Sequence, residues 1–280
     1  MRDELAPPDY SRGAPIPWWA KVGLKIVLSR LPIPYGTWSR LGAFRHSFVT
    51  DSGKVLHEVQ AHVQRYVDVR GRPPECVLEL GPGELTTRAV TYAALGVKKT
   101  ILVDVGDFGT MDVATYQHAA RAAGQAGLQA PDLEGVADRA EVFSRCGTHY
   151  LCEGRRSLEA LAQGEVDLIV SDAVIEHVRL HDLRPLLAAL RRVGAPDCFS
   201  RHGIDFHDHL GGGLENLRFS QALWESEWMA GSGFYTNRVS ASAMLGLLEH
   251  EGFRTVITYR LLRASESIAR KHISTDLAAG

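Results

Sequence analysis

Val77-Leu78-Glu79-Leu80-Gly81-Pro82-Gly83-Glu84 runs from a continuous apolar stretch into an acid and then into a Gly-x-Gly turn. A short run of β-forming residues that stops at glycine reads as a buried strand. Glycines at 81 and 83 let the backbone bend tightly and come close to a ligand, because neither carries a Cβ. A dinucleotide fingerprint needs a third glycine three positions after the second, but the chain continues Glu84-Leu85-Thr86. Glu84 also puts negative charge where a pyrophosphate would lie, so a nucleotide-like cofactor without phosphates fits better. About 20 residues on, Thr100-Ile101-Leu102-Val103-Asp104 reads as a second strand ending in an acid suited to ribose hydroxyls.

Working outward, the apolar runs predict strands near 76–80, 100–104, 140–143, 166–171, 198–206 and 253–263. Helical periodicity falls between them, near 85–95, 112–125, 157–163, 182–193 and 240–251. Such alternation implies a mostly parallel, doubly wound α/β sheet with ligands beyond the carboxyl ends of its strands. Residues 207–238 break the rhythm and read as an insertion after the fifth strand. Residues 1–17 carry Pro7, Pro8, Pro15 and Pro17 and predict a polar lead-in. Trp18 to Leu31 turns helical, with Trp18, Trp19, Val22, Ile26, Val27 and Leu31 on one broad face. That face suits a cap on the core, a lid over substrate, or a membrane-surface helix; it could equally join a second chain. A further helix from Lys54 to Arg70 leads through Pro73-Pro74 to the first strand. The chain thus divides into an N-terminal extension and cap, 1–70, and a sheet domain, 71–280.

Composition narrows the partners. The chain has 280 residues and a net charge of −2, so it lacks the broad basic footprint of a nucleic-acid binder. Its four cysteines, at 76, 146, 152 and 198, form neither a CxxC pair nor a regular spacing. No apolar run approaches the ~20 residues that a membrane span requires. A cytoplasmic enzyme acting on a small molecule is the expectation.

The E-L-G-P-G turn, Asp104, and the stretch Val166-Asp167-Leu168-Ile169-Val170-Ser171-Asp172-Ala173-Val174-Ile175-Glu176-His177-Val178 together resemble a class I S-adenosylmethionine (SAM) dependent methyltransferase. Gly203 to Leu210, Asn216 to Ser220 and Ser232 to Arg238 resemble a bacterial subgroup of it. The resemblance implies a Rossmann-like fold, SAM as cofactor, and methyl transfer to an oxygen or nitrogen of a small acceptor, in bacterial secondary or glycan metabolism. Glu79, Gly81, Pro82, Gly83 and Asp104 would hold the cofactor, with Glu79 facing the methionine ammonium and Cys146 and Gly147 near adenine. The same fold also serves cyclisation or elimination, or a partner-dependent, non-catalytic role.

Asp172, Glu176 and His177 follow the fourth strand, from which the family addresses donor and acceptor. If a helical turn begins at Asp172, residues 172 and 176 share a face. A histidine titrating near neutrality suits removal of the acceptor's proton. His202, Asp205, His207, Asp208 and His209 form the densest run of polar groups. On an extended strand Asp205, His207 and His209 would share a face, giving a substrate surface on which His207 could act as a second base. Metal-dependent small-RNA ribose methyltransferases use a Glu-x-x-Glu-His run. Ala173 stands where its first glutamate would be, so no metal is assigned. Arg218, Asn237 and Arg238 are candidates to hold an acceptor carboxylate or phosphate, and Trp18 to cover the acceptor.

Overall fold

The computed structural model describes residues 19, 20, 23, 52–210, 213–262 and 268–278. Trp18 and most of the expected N-terminal cap lie outside the described residues. Strands Cys76–Leu80 (β1), Lys99–Val103 (β2), Thr148–Leu151 (β3), Val166–Asp172 (β4) and Gly194–Gly203 (β5) form one sheet. Its order is β3-β2-β1-β4-β5, and every pairing is parallel. This is the doubly wound Rossmann-like sheet that the alternation implies. The winding reverses between β1 and β4, which opens a crevice beyond their carboxyl ends.

Helices cover both faces. Ser52–Arg70 (α1) and Arg88–Ala94 (α2) bring Val55, Val59, Val63, Tyr66 and Tyr92 against Val77, Leu168 and Val170. Arg155–Glu159 (α3) and Leu180–Val193 (α4) bring Leu158, Leu186, Leu190 and Val193 against Leu78, Leu80, Ile101, Val103 and Ile169 on the other face. Strand residues therefore alternate between two apolar layers, which is why β1, Glu79 aside, and the middle of β4 read as apolar runs. Leu78 is fully buried, so Leu78→Ala falls in the range of about 2–5 kcal/mol for such truncations. The helix α1, grouped in the sequence reading with the N-terminal extension, is part of this core.

Two expected strands are corrected. Residues 140–143 belong to a helix, Arg139–Arg145, because Asp138 accepts the Glu141 N–H at 2.9 Å while Glu141 accepts the Ala137 N–H at 3.0 Å. That reciprocal start overrides the apolar pair Val142-Phe143. Residues 253–262 form no ladder, and Val256, Tyr259 and Leu262 are exposed. Alternation marks a segment able to pair, but it cannot supply a partner strand. The fifth strand ends at Gly203 rather than 206, so Asp205, His207 and His209 do not share a strand face.

The insertion builds a satellite core of its own. Leu210, Trp224, Met229, Phe234 and Tyr235 bury one another. Trp224 donates from Nε1 to the Thr236 carbonyl at 2.7 Å. Asp208, 2% exposed, fixes the loop by accepting the N–H groups of Leu210 and Asn216 at 3.1 and 3.2 Å.

Candidate active site

The glycine turn and the second-strand acid form one unit. Gly81 and Gly83 have φ of +70° and +56°, in the left-handed region that a side chain would strain. Gly81 N–H donates to the Val103 carbonyl at 2.7 Å, tying the turn to the end of β2. A Cβ at Gly81 would come within 2.4 Å of Val174 Cγ2, whereas one at Gly83 would meet nothing within 4 Å. The first glycine is thus needed for packing and the second borders open space. Pro82 is buried between them. Asp104 accepts Gly83 N–H at 2.9 Å and Val105 N–H at 2.7 Å, and burial raises its pKa against those two bonds. Each carboxylate oxygen keeps a second lone pair, so Asp104 can hold the turn and still accept a ribose hydroxyl. An open turn beside such an acid fits an adenosine-type cofactor.

Glu79 does something else. It is 1% exposed, and its oxygens meet Arg88 Nη1 at 2.5 Å and Tyr92 OH at 3.0 Å. Arg88 Nη2 continues to Glu58 at 2.9 Å. Burial raises the Glu79 pKa while the Arg88 guanidinium opposes it. Buried and bonded to Arg88 and Tyr92, Glu79 braces β1 against α1 and α2. Glu58 and Arg88 were not singled out in the sequence. Their one signal is a cation in an otherwise apolar helical stretch, nine residues after a strand-end acid.

At the end of β4, Asp172 is 35% exposed. Its carboxylate accepts Arg201 Nη1 at 3.0 Å and lies 3.5 Å from His62 Nε2 and 4.0 Å from Arg88 Nη1. Ala173 then adopts φ +54°, held by its N–H bond to the Gly203 carbonyl at 2.9 Å. A non-glycine residue there costs on the order of 1–3 kcal/mol and turns the chain sharply off the strand. Ile175–His177 follow as one 3₁₀ turn. Asp172 is therefore a strand residue, and the shared helical face expected for 172 and 176 does not form.

The turn and the insertion nevertheless converge. Glu176, 2% exposed, accepts Asp205 N–H on Oε1 at 3.0 Å, while Oε2 is buried without a partner among the described residues. Burial, with the negative charges of Asp205 and Asp172, raises its pKa to about 7. His177 Nδ1 lies 2.7 Å from the Tyr235 carbonyl. A carbonyl only accepts, so Nδ1 carries the hydrogen and Nε2 the lone pair of the neutral ring. The His177 and His209 rings meet edge to face, centroids 4.8 Å apart. His207 pairs through Nδ1 with Asp205. A buried acid near neutrality and an oriented imidazole thus sit together, the arrangement general acid–base chemistry uses.

Other candidates stand elsewhere. Asn237 donates to the Ile175 and Val178 carbonyls at 2.8 and 3.1 Å, and so fixes the turn that carries Glu176 and His177. Arg238 donates to the carbonyls of Asn216 and Phe219 at 3.2 and 2.7 Å and stacks 5.5 Å from the Trp224 ring, inside the insertion. Arg218 pairs with Glu215. Cys146 and Gly147 stand at the amino end of β3, across the sheet from Gly81 and Asp104. Gly147 is required there because a Cβ would come 2.5 Å from the Lys98 carbonyl. No group of three or more His, Cys, Asp or Glu that could hold a metal ion occurs among the described residues, and no helix among them is long and apolar enough to cross a membrane.

No protein-family model and no curated protein matches the chain. Several solved structures are similar to it. A candidate O-methyltransferase from Nostoc punctiforme is 15% identical over 72% of this chain and 51% of its own, with a TM-score of 0.40. The plantazolicin methyltransferase BamL, solved with a triazolic desmethyl analogue and S-adenosylhomocysteine (SAH), is 10% identical over 83% of this chain and 74% of its own, with a TM-score of 0.45. A SAM-dependent methyltransferase from Leishmania major is 12% identical over 86% and 75%, also at 0.45. The chain spans about half the length of the first, 51%. At this level of likeness the fold rests on the strand order β3-β2-β1-β4-β5 itself.

Proposed function

We propose that this chain binds SAM beyond β1 and β2 and transfers its methyl group to an oxygen or nitrogen of a small-molecule acceptor. The observation that carries the reading is the contact between Val174 and Gly81, which sets the Glu176-His177 turn directly against the cofactor turn. Bound SAM would supply an electrophilic methyl on a sulfonium. The chain's own part is alignment and proton removal. Asp104 accepts the ribose hydroxyls. The adenine is assigned to the loop after β3, Cys152 to Gly154, in place of Cys146 and Gly147, because Gly154 N–H donates to the Asp104 carbonyl at 2.7 Å and so keeps that loop beside the ribose acid.

The acceptor lies between the Glu176-His177 turn and Asp205, His207 and His209. His177 Nε2 would take the acceptor's proton as the sulfonium–methyl bond breaks and the acceptor–methyl bond forms, leaving SAH, and the Tyr235 carbonyl would stabilise the imidazolium through Nδ1–H. Glu176 adds a second group able to hold a proton near neutral pH. Calorimetry with SAH checks the cofactor: the wild type binds, and Asp104→Ala weakens binding about 10- to 100-fold, as expected for losing charge-assisted hydrogen bonds. Wild type that binds no SAH would remove methyl transfer and leave the fold to other chemistry.

A further inference from the structure

Glu79, 1% exposed, turns into the core onto Arg88 and Tyr92, away from the surface that the amino-acid end of a cofactor would meet. The exposed charges on that face of the sheet belong to another pair. Arg201 is level with Val170 in the β4–β5 ladder, and Val170 with Glu79 in the β1–β4 ladder, so all three share the face that α1 covers. Gly81 follows two residues after Glu79. Beside it, Arg201 and Asp172 have side chains 43% and 35% exposed.

Their geometry is fixed from below. Arg201 Nη1 donates to Asp172 Oδ1 at 3.0 Å and to His62 Nε2 at 2.6 Å. His62 is 3% exposed, and burial keeps its ring neutral, with a pKa of about 4, so that Nε2 can accept. With Nη1 anchored at two points, Nε and Nη2 form a planar donor edge with no partner among the described residues. Such an edge suits a carboxylate. A simple anion would also meet the charge of Asp172, and a simple cation that of Arg201. A group bearing both charges on one carbon satisfies both.

We propose that Arg201 and Asp172 form a zwitterion site whose occupant is the methionine end of SAM, its α-carboxylate on the Arg201 edge and its α-ammonium on Asp172. The proposal rests on the SAM reading above. An amino-acid acceptor has the same chemistry, and the test separates the two sources. Calorimetry on the whole chain compares SAH with 5′-methylthioadenosine, which keeps the adenosine and lacks the amino acid. Wild type should prefer SAH. Arg201→Gln and Asp172→Asn should each weaken SAH by about 10- to 100-fold and leave 5′-methylthioadenosine binding unchanged, which also shows that the variants fold.

Equal loss of both ligands, or loss of neither, would overturn the proposal. If Arg201→Gln keeps its SAH affinity but abolishes binding of L-methionine to the SAH-loaded protein, the site belongs to the acceptor and the cofactor assignment fails. Wild type that binds no SAH would sink the SAM reading and this site together; SAH binding that Arg201→Gln leaves intact would sink this site alone.

Discussion

Two polar clusters flank the end of β4, and they differ in how far their carboxylates are paired with cations. On the α1 side each carboxylate meets a cation: Glu58 and Glu79 both pair with Arg88, with Tyr92 adding a hydrogen bond to Glu79, and Asp172 pairs with Arg201 beside His62. On the insertion side, Glu176 keeps a buried oxygen without a partner among the described residues and titrates near neutrality. A matched network holds elements together, because taking away one partner leaves a buried charge. An incompletely matched acid beside an oriented imidazole is costly to keep, and that cost is the ordinary mark of a site meant to change its protonation.

The sharpest way to break this contrast is at His177. Alanine there should lower turnover by about 10²- to 10⁴-fold while SAH affinity stays close to wild type. Turnover is read as SAH release with any acceptor that a screen of small hydroxyl and amine compounds returns. Near-normal release would move the base to Glu176, and Glu176→Gln would then abolish it.

The other cluster should respond in stability. Arg88→Ala should cost about 3–5 kcal/mol in urea denaturation, since it strands Glu79 at the foot of the core. A cost within ~1 kcal/mol would mean that Glu79 is protonated in the folded protein and the pair is not ionic. His177→Ala should show little of this loss.

The smallest effect concerns pH. The folded Glu176 pKa of about 7 lies above its ordinary 4.5, so between those values the native state holds the proton more firmly than the unfolded chain. Stability from this group is present below 4.5 and is lost as pH rises through 7, by at most about 3 kcal/mol. Glu176→Gln should flatten the fall in melting temperature across that window. His62 acts with the opposite sign: its pKa of about 4 makes stability fall as pH drops from 6.5, and His62→Gln should remove that acid limb. If neither variant changes the profile, neither group titrates as its burial implies.

The contrast also separates what was legible in the chain from what was not. Cys76–Leu80, the glycine turn and Asp104 were readable because their cause is local: an apolar run long enough for one strand, and a turn that needs left-handed φ where glycine stands. Glu176-His177 and the 205–209 run were each read as facing the acceptor, but their meeting is a tertiary contact, and the strand alternation invoked for 205–209 does not exist. The third strand was misplaced because Asp138 and Glu141 start a helix over Val142-Phe143, and a capping pair outweighs a two-residue apolar signal.

By itself the sequence determined the alternation of strands and helices, the position of the ligand turn and the acids that end β1, β2 and β4, since each follows from side-chain period or backbone conformation within a few residues. Only the tertiary structure decided what those acids face. Glu79 turns into an ion pair with Arg88, Asp172 to Arg201 above a buried His62, and Asn237 and Arg238 to backbone carbonyls. Partners 9 to 62 residues apart are chosen by how the packed layers bring their side chains together, and no local pattern records that choice.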